Sequence, residues 1–132
     1  NQLYTISRRH INDTFAEPGG FDLVIDLHRD SAPPSASVFE NDGVTYAKMM
    51  FVVGMKSSNA AHVMAHSRQL TDKINQVMPG IMRSVFERQS VYNQDMAENM
   101  GLLGLGTDQN STEEVRNSLR ILVEALTNGG IE

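Results

Sequence analysis

Cysteine and tryptophan are both absent from this chain of 132 residues. Without cysteine there is no disulfide and no thiolate metal site, and redox chemistry is silent about the compartment. Any metal has to be held by His, Asp or Glu. Long apolar runs are missing too: none approaches the ~18 residues that cross a bilayer, and no charged-then-apolar leader opens the chain. No membrane segment is therefore expected within it. Basic residues are scarce, 11 Lys and Arg against 16 Asp and Glu for a net charge of −5. The densest basic spot, Arg8-Arg9, is too small for a nucleic-acid or anionic-membrane surface. Internal repeats, low-complexity tracts and the Gly-x-Ser-x-Gly, Walker and dinucleotide fingerprints are also missing.

What is present fits one domain over residues 1–132, a length that buries roughly two thirds of the surface its unfolded form exposes. "LYTISRRHINDTF" (3–15) spaces Leu3, Ile11 and Phe15 as a helix does, and "EPGG" (17–20) stops it. Phe21, Leu23, Val24, Ile25 and Leu27 then form a near-continuous apolar stretch, which predicts a central strand covered on both faces with His28 at its C-terminal end. "SAPPSAS" (31–37) is irregular, and "ENDG" (40–43) reads as a hairpin turn in which Gly43 takes a positive φ. The second arm, 44–53, is the strongest strand signal.

Residues 57–78 place Val63, Leu70, Ile74 and Val77 on one helix face, with Asn59 as N-cap and Pro79-Gly80 closing the segment. A helical turn is expected around 81–88 and a short strand at 101–106. Ser111-x-x-Glu114 is a capping box, followed by a buried stripe of Val115, Leu119, Leu122, Val123 and Leu126. Strand 44–53, helix 58–78 and strand 101–105 are long enough for a parallel crossover, so the expected architecture is α/β, a mixed sheet with helices on both faces. The eight methionines suit core gap-filling.

Four histidines are the candidates for chemistry. In open α/β sheets ligands gather beyond the carboxyl ends of strands, where His28 falls; its position allows a metal ligand, a catalytic base or the polar end of a strand. Arg29 and Asp30 beside it allow either an orienting carboxylate or an exposed ion pair. His62 and His66 are spaced i, i+4, as zinc-chelating pairs are, but they share a face with Gln69 and Lys73, opposite the apolar stripe, which predicts a solvated face. His10, among Arg8, Arg9, Asn12 and Asp13, belongs to the exposed side of the first helix. Asp22 and Asp26 share strand parity and read as polar contacts to neighbouring helices.

In order along the chain, "SRRHINDTF", "FDLVIDLHRDS", "YAKMMFVVG", "YNQDM" and the helix start Asn110-Ser111-Thr112-Glu113-Glu114 resemble the stage II sporulation protein P family, zinc-dependent peptidoglycan amidases of endospore-forming bacteria. The resemblance implies a zinc-peptidase/amidase-like fold related to the N-acetylmuramoyl-L-alanine amidases, which cut between muramic acid and the stem peptide. In such enzymes zinc polarises a water and the scissile carbonyl while a glutamate serves as general base and then acid. The family's zinc site uses two histidines and a glutamate. His28, in "DLHRD", matches the second histidine, with Arg29 and Asp30 as cleft or supporting candidates.

The chain departs from the family pattern at two points. The family's first histidine and ligand glutamate precede the Ser-Arg helix, so the chain is expected to be the C-terminal part of a longer parent, incomplete at the N-terminus, with zinc weak or absent. Gly104 stands where the family has its catalytic glutamate, so no catalytic residue is assigned. By the same resemblance His28 and Gly104 should lie close together on one rim. The implied partners are peptidoglycan and other sporulation proteins, and the implied location is extracytoplasmic, tethered to the membrane by a segment outside this chain. Two readings follow: a sporulation amidase domain that is inactive as this chain, or a non-catalytic cell-wall-binding or regulatory relative.

Overall fold

The computed structural model of the protein describes residues 23–92 and 100–128. Its elements in order are β1 (Val24–Asp30), a 3-10 turn (Pro34–Ala36), β2 (Val38–Asn41), β3 (Val44–Ala47), β4 (Met49–Gly54), α1 (Ala60–Val77), β5 (Phe86–Arg88), β6 (Met100–Thr107) and α2 (Thr112–Asn128). β2 and β3 make an antiparallel hairpin in which Asn41 faces Val44. The turn residues Asp42 and Gly43 have φ of 51° and 78°, the left-handed pair that matches the twist of a two-residue hairpin. The main sheet has the order β1-β6-β4-β5; β1 runs parallel to β6, β6 antiparallel to β4, and β4 parallel to β5. The class is thus α/β with a mixed sheet, as expected.

Side chains alternate across a strand, so this sheet has two distinct faces. On one, Met49, Phe51, Leu103 and Leu105 meet Leu70 and Ile74 of α1 and Ile121, Leu122 and Ala125 of α2 in one buried cluster. The other face carries Met50, Val52 and Leu102, with Tyr92 packed against them. Both described helices therefore cover the same face; the helix expected over 3–15, with His10 and Asp22, lies outside the described residues.

Several sequence expectations need correction. The strand before the proline-rich segment continues through His28 to Asp30, because its ladder with β6 extends across polar residues as readily as apolar ones. It is the outermost strand of the described sheet rather than a central one, and Leu27 is 50% exposed. The arm 44–53 bends at Lys48, whose N–H donates to the Ser37 carbonyl (2.8 Å) and whose carbonyl accepts from Gly106 N–H (3.1 Å), so one half pairs with β2 and the other enters the main sheet. The parallel crossover from β4 through α1 ends on β5, not on β6. Accordingly the segment expected as a helical turn supplies the Met82 bridge to Met49 and strand β5.

The buried stripe of α2 also differs from the expected one. Leu119 and Val123 are 39% and 51% exposed, while Ser118, Ile121, Leu122 and Ala125 are buried. Ser118 Oγ donates to the Ala47 carbonyl (2.6 Å) and Asn117 Nδ2 to the Thr45 carbonyl (2.9 Å), which fixes the rotation of α2 against β3. The capping box is formed as read: Glu114 N–H donates to Ser111 Oγ (3.1 Å) and Ser111 N–H to Glu114 Oε1 (2.9 Å).

Candidate functional site, a groove over the sheet

Register places the site. His28 on β1 pairs with Gly104 on β6, and Gly104 pairs with Met50 on β4, so these three form one row across the sheet. The next row is Asp26, Leu102, Val52 and Phe86. Residues in a row point to the same face, here the one without a helix among the described residues. Over it lies a groove of about 620 Å³. Met50, Val52 and Leu102 form its floor; His28, Asp30 and Ser31 stand at one end, and Arg83, Phe86, Arg88 and Tyr92 at the other. His28 and Gly104 are therefore immediate neighbours on adjacent strands, as the resemblance implies.

His28 borders this groove, but its Nε2 is buried and lies 3.0 Å from Asp26 Oδ1 without the alignment of a hydrogen bond. The two residues share a face because they are two apart on β1. Among the described residues no three His, Asp or Glu side chains converge on a point where a metal ion could sit. With its Nε2 against Asp26, His28 is the one residue of the implied zinc site among the described residues.

Asp30 explains how the sheet accommodates glycine at 104. A Cβ on Gly104 would overlap Asp30 Oδ2 and lie 3.0 Å from its Cγ. The carboxylate of Asp30 thus occupies the space where a side chain at 104 would begin. A one-residue bulge brings it there: His28 pairs with Gly104 but Asp30 with Thr107, leaving one extra residue in β6. Gly106 absorbs the bulge with φ of 80°, and a Cβ there would come within 2.9 Å of Ala47 Cβ.

Arg29 also lines the groove, and its guanidinium is engaged by backbone carbonyls rather than by a carboxylate. Its Nη2 donates to the carbonyls of Thr107 (2.5 Å) and Asn110 (2.7 Å), clamping the end of β6 and the loop before α2. A buried polar hub that sequence reasoning missed lies behind this clamp. Ser37 Oγ and Thr107 Oγ1 are 2.6 Å apart, Asn110 Nδ2 donates to the Ser37 carbonyl (2.9 Å), and Thr107 N–H donates to Asn110 Oδ1 (2.8 Å). The hub ties the proline-rich segment after β1 to the end of β6, which fixes the rim bearing His28 and Asp30. The cluster of Thr, Asp and Asn at 107–110 was the available signal, since these residues bond their own turns.

Arg83, Phe86 and Arg88 were also missed, because a three-residue strand leaves no periodicity to read. His62 is exposed and His66 half-buried; their rings lie 6.2 Å apart between centroids and nearly parallel. Burial, and then the neighbouring His62, hold the His66 imidazole below its usual pKa.

No helix among the described residues is long and apolar enough to cross a membrane. No solved structure matches the chain. Stage II sporulation protein P of Bacillus subtilis (strain 168) is 32% identical over 120 residues, covering 87% of this chain and 30% of that protein, so the chain spans under a third of that curated relative's length. The family described as Stage II sporulation protein P (SpoIIP) matches residues 1–127. With that match over nearly the whole length, the chain belongs to the stage II sporulation protein P family.

Proposed function

We propose that this chain is the groove-bearing part of a peptidoglycan amidase domain that acts in sporulation, outside the cytoplasmic membrane and tethered by a segment not included in it. The observation that carries the reading is the His28–Gly104 pairing beside a groove. The resemblance gives these two positions to a zinc ligand and to the acid–base glutamate, and adjacent strands are about 4.8 Å apart, so the two functions would sit side by side. Further support comes from the groove, whose apolar floor between polar ends suits an extended peptide. In this reading zinc is held jointly by His28 and by ligands beyond the described residues, and when bound it would supply Lewis acidity at the scissile amide. The stem peptide of peptidoglycan is the occupant.

The test joins the chain to the family's upstream segment, the one to which the resemblance gives a histidine and a glutamate, and carries Gly104→Glu. Zinc-dependent release of stem peptide from purified sacculi is expected. His28→Ala should lower it by at least about 100-fold, the scale seen when catalytic groups are removed. Release that His28→Ala leaves unchanged would sink the proposal. Sacculus binding without release by that joined form would favour the non-catalytic, wall-binding alternative.

A further inference from the structure

The far end of the groove carries charge that the fold does not use. Arg83, just before β5, and Arg88, at its end, both line the groove. Neither guanidinium has an ion-pair or hydrogen-bond partner among the described residues. Arg88 is exposed and lies over the Phe86 ring, 4.3 Å from its centroid, on a ring that is itself 37% exposed. Stacking of this kind orients a guanidinium and leaves its N–H edge free for a planar anion. Arg83 is half-buried and anchored through its backbone, whose N–H donates to the Met49 carbonyl (2.7 Å). In a chain of net charge −5, two arginines that line one groove without a carboxylate partner among the described residues are not explained by general surface solvation.

We propose that Arg83 and Arg88 form a carboxylate-binding subsite that holds an acidic peptide in the groove and fixes its direction. The inference rests on the proposed function for the identity of the peptide, a stem peptide with free carboxylates. The groove is polarised along its length: Asp30 and His28 stand at one end, the two arginines at the other, and Met50, Val52 and Leu102 lie between. Gly104, Met50 and the segment bearing Arg83 lie on successive strands from His28. Three strand spacings of about 4.8 Å put Arg83 roughly 14 Å from His28, the reach of about four extended residues. An extended peptide whose amide lies at His28 therefore delivers a carboxylate several residues away to the arginines. The opposite orientation would bring its carboxylate against Asp30, a like charge.

The experiment titrates the chain with L-alanyl-γ-D-glutamyl-meso-diaminopimelate and, separately, with the same peptide whose carboxylates are converted to carboxamides. Calorimetry reads affinity, and co-sedimentation with sacculi is followed in parallel. Arg83→Gln and Arg88→Gln are each expected to weaken the acidic peptide about tenfold, as loss of one member of a charge pair does, and to leave the carboxamide peptide unchanged. Arg88→Lys should recover only part of the loss, because ammonium cannot pair bidentately with a carboxylate. Thermal midpoints near wild type will show that the variants fold. The inference is overturned if wild type binds neither peptide, if it binds both equally, or if the glutamine variants bind the acidic form as wild type does. Those results with sacculus binding intact remove only the subsite. Arginine-dependent peptide binding by a chain that ignores sacculi keeps the subsite and removes the cell-wall reading.

Discussion

Asp30 and Gly104 compete for one volume, and this has a measurable consequence. A methyl at 104 has to displace the Asp30 carboxylate, since its Cβ would fall on Oδ2. In most strand interiors replacing glycine with alanine is neutral or stabilising, because glycine is the poorer strand former. Here we expect Gly104→Ala to be destabilising by about 1–2 kcal/mol, the range for overpacking. Asp30→Ser should relieve it, giving a coupling of about 1 kcal/mol in a denaturant double-mutant cycle; additive effects would mean that Asp30 moves aside freely. Arg29 is the second residue whose role is local. Removing its two charge-assisted bonds to Thr107 and Asn110 with Arg29→Ala should cost about 2 kcal/mol and lower Tm by several degrees, whereas an unchanged Tm would show the clamp to be idle.

At the scale of elements, α2 was the most legible part and β5 the least. The Ser111–Glu114 box could be read because its two bonds are local, so sequence spacing alone determines them. Ser111→Ala should cost about 1 kcal/mol. Glu114 makes this cap depend on pH: the Ser111 backbone hydrogen bond holds its carboxyl below the ordinary 4.5. With a depressed folded-state pKa, the cap's contribution is complete above the unfolded value and is lost as pH falls through the folded one. Glu114→Gln should therefore lower stability most at neutral pH and least in acid, which flattens the stability profile below about pH 4.5. His66 on α1 acts in a higher window. Its pKa is lowered, so the unfolded chain binds the proton more readily, and stability falls as pH drops below the ordinary 6.5. A urea series on His66→Gln that keeps the wild-type slope between pH 6.5 and 5 would contradict that assignment. By contrast, the division of 44–53 at Lys48, and the exposure of Leu119 and Val123, depend on Ser37, Gly106 and Ser118, which meet these segments only after long-range pairing. No spacing along the sequence encodes such contacts.

At the scale of the whole molecule, the proximity of His28 and Gly104 was legible only through the family resemblance, because their pairing joins positions far apart in the chain. Composition and periodicity supplied the α/β class, while the arginine end of the groove was invisible to both. The assembled face bears on activity. Zinc hydrolysis needs about three protein ligands and a general base. The described residues place beside the groove the imidazole that the resemblance matches to a ligand, its Nε2 against Asp26, and pair it with the glycine that the resemblance puts at the position of the base. The isolated 132-residue chain should therefore bind zinc weakly and release no stem peptide from purified peptidoglycan. Gly104→Glu alone should not confer turnover: the new carboxylate first has to push Asp30 aside, and the histidine and glutamate that the resemblance places in the family's upstream segment are still to be added. Gly104→Glu combined with the upstream family segment should confer it. Mass-spectrometric detection of released peptide decides the matter, and release by the unmodified chain that a chelator abolishes would mean that a different set of residues on this face carries out the hydrolysis.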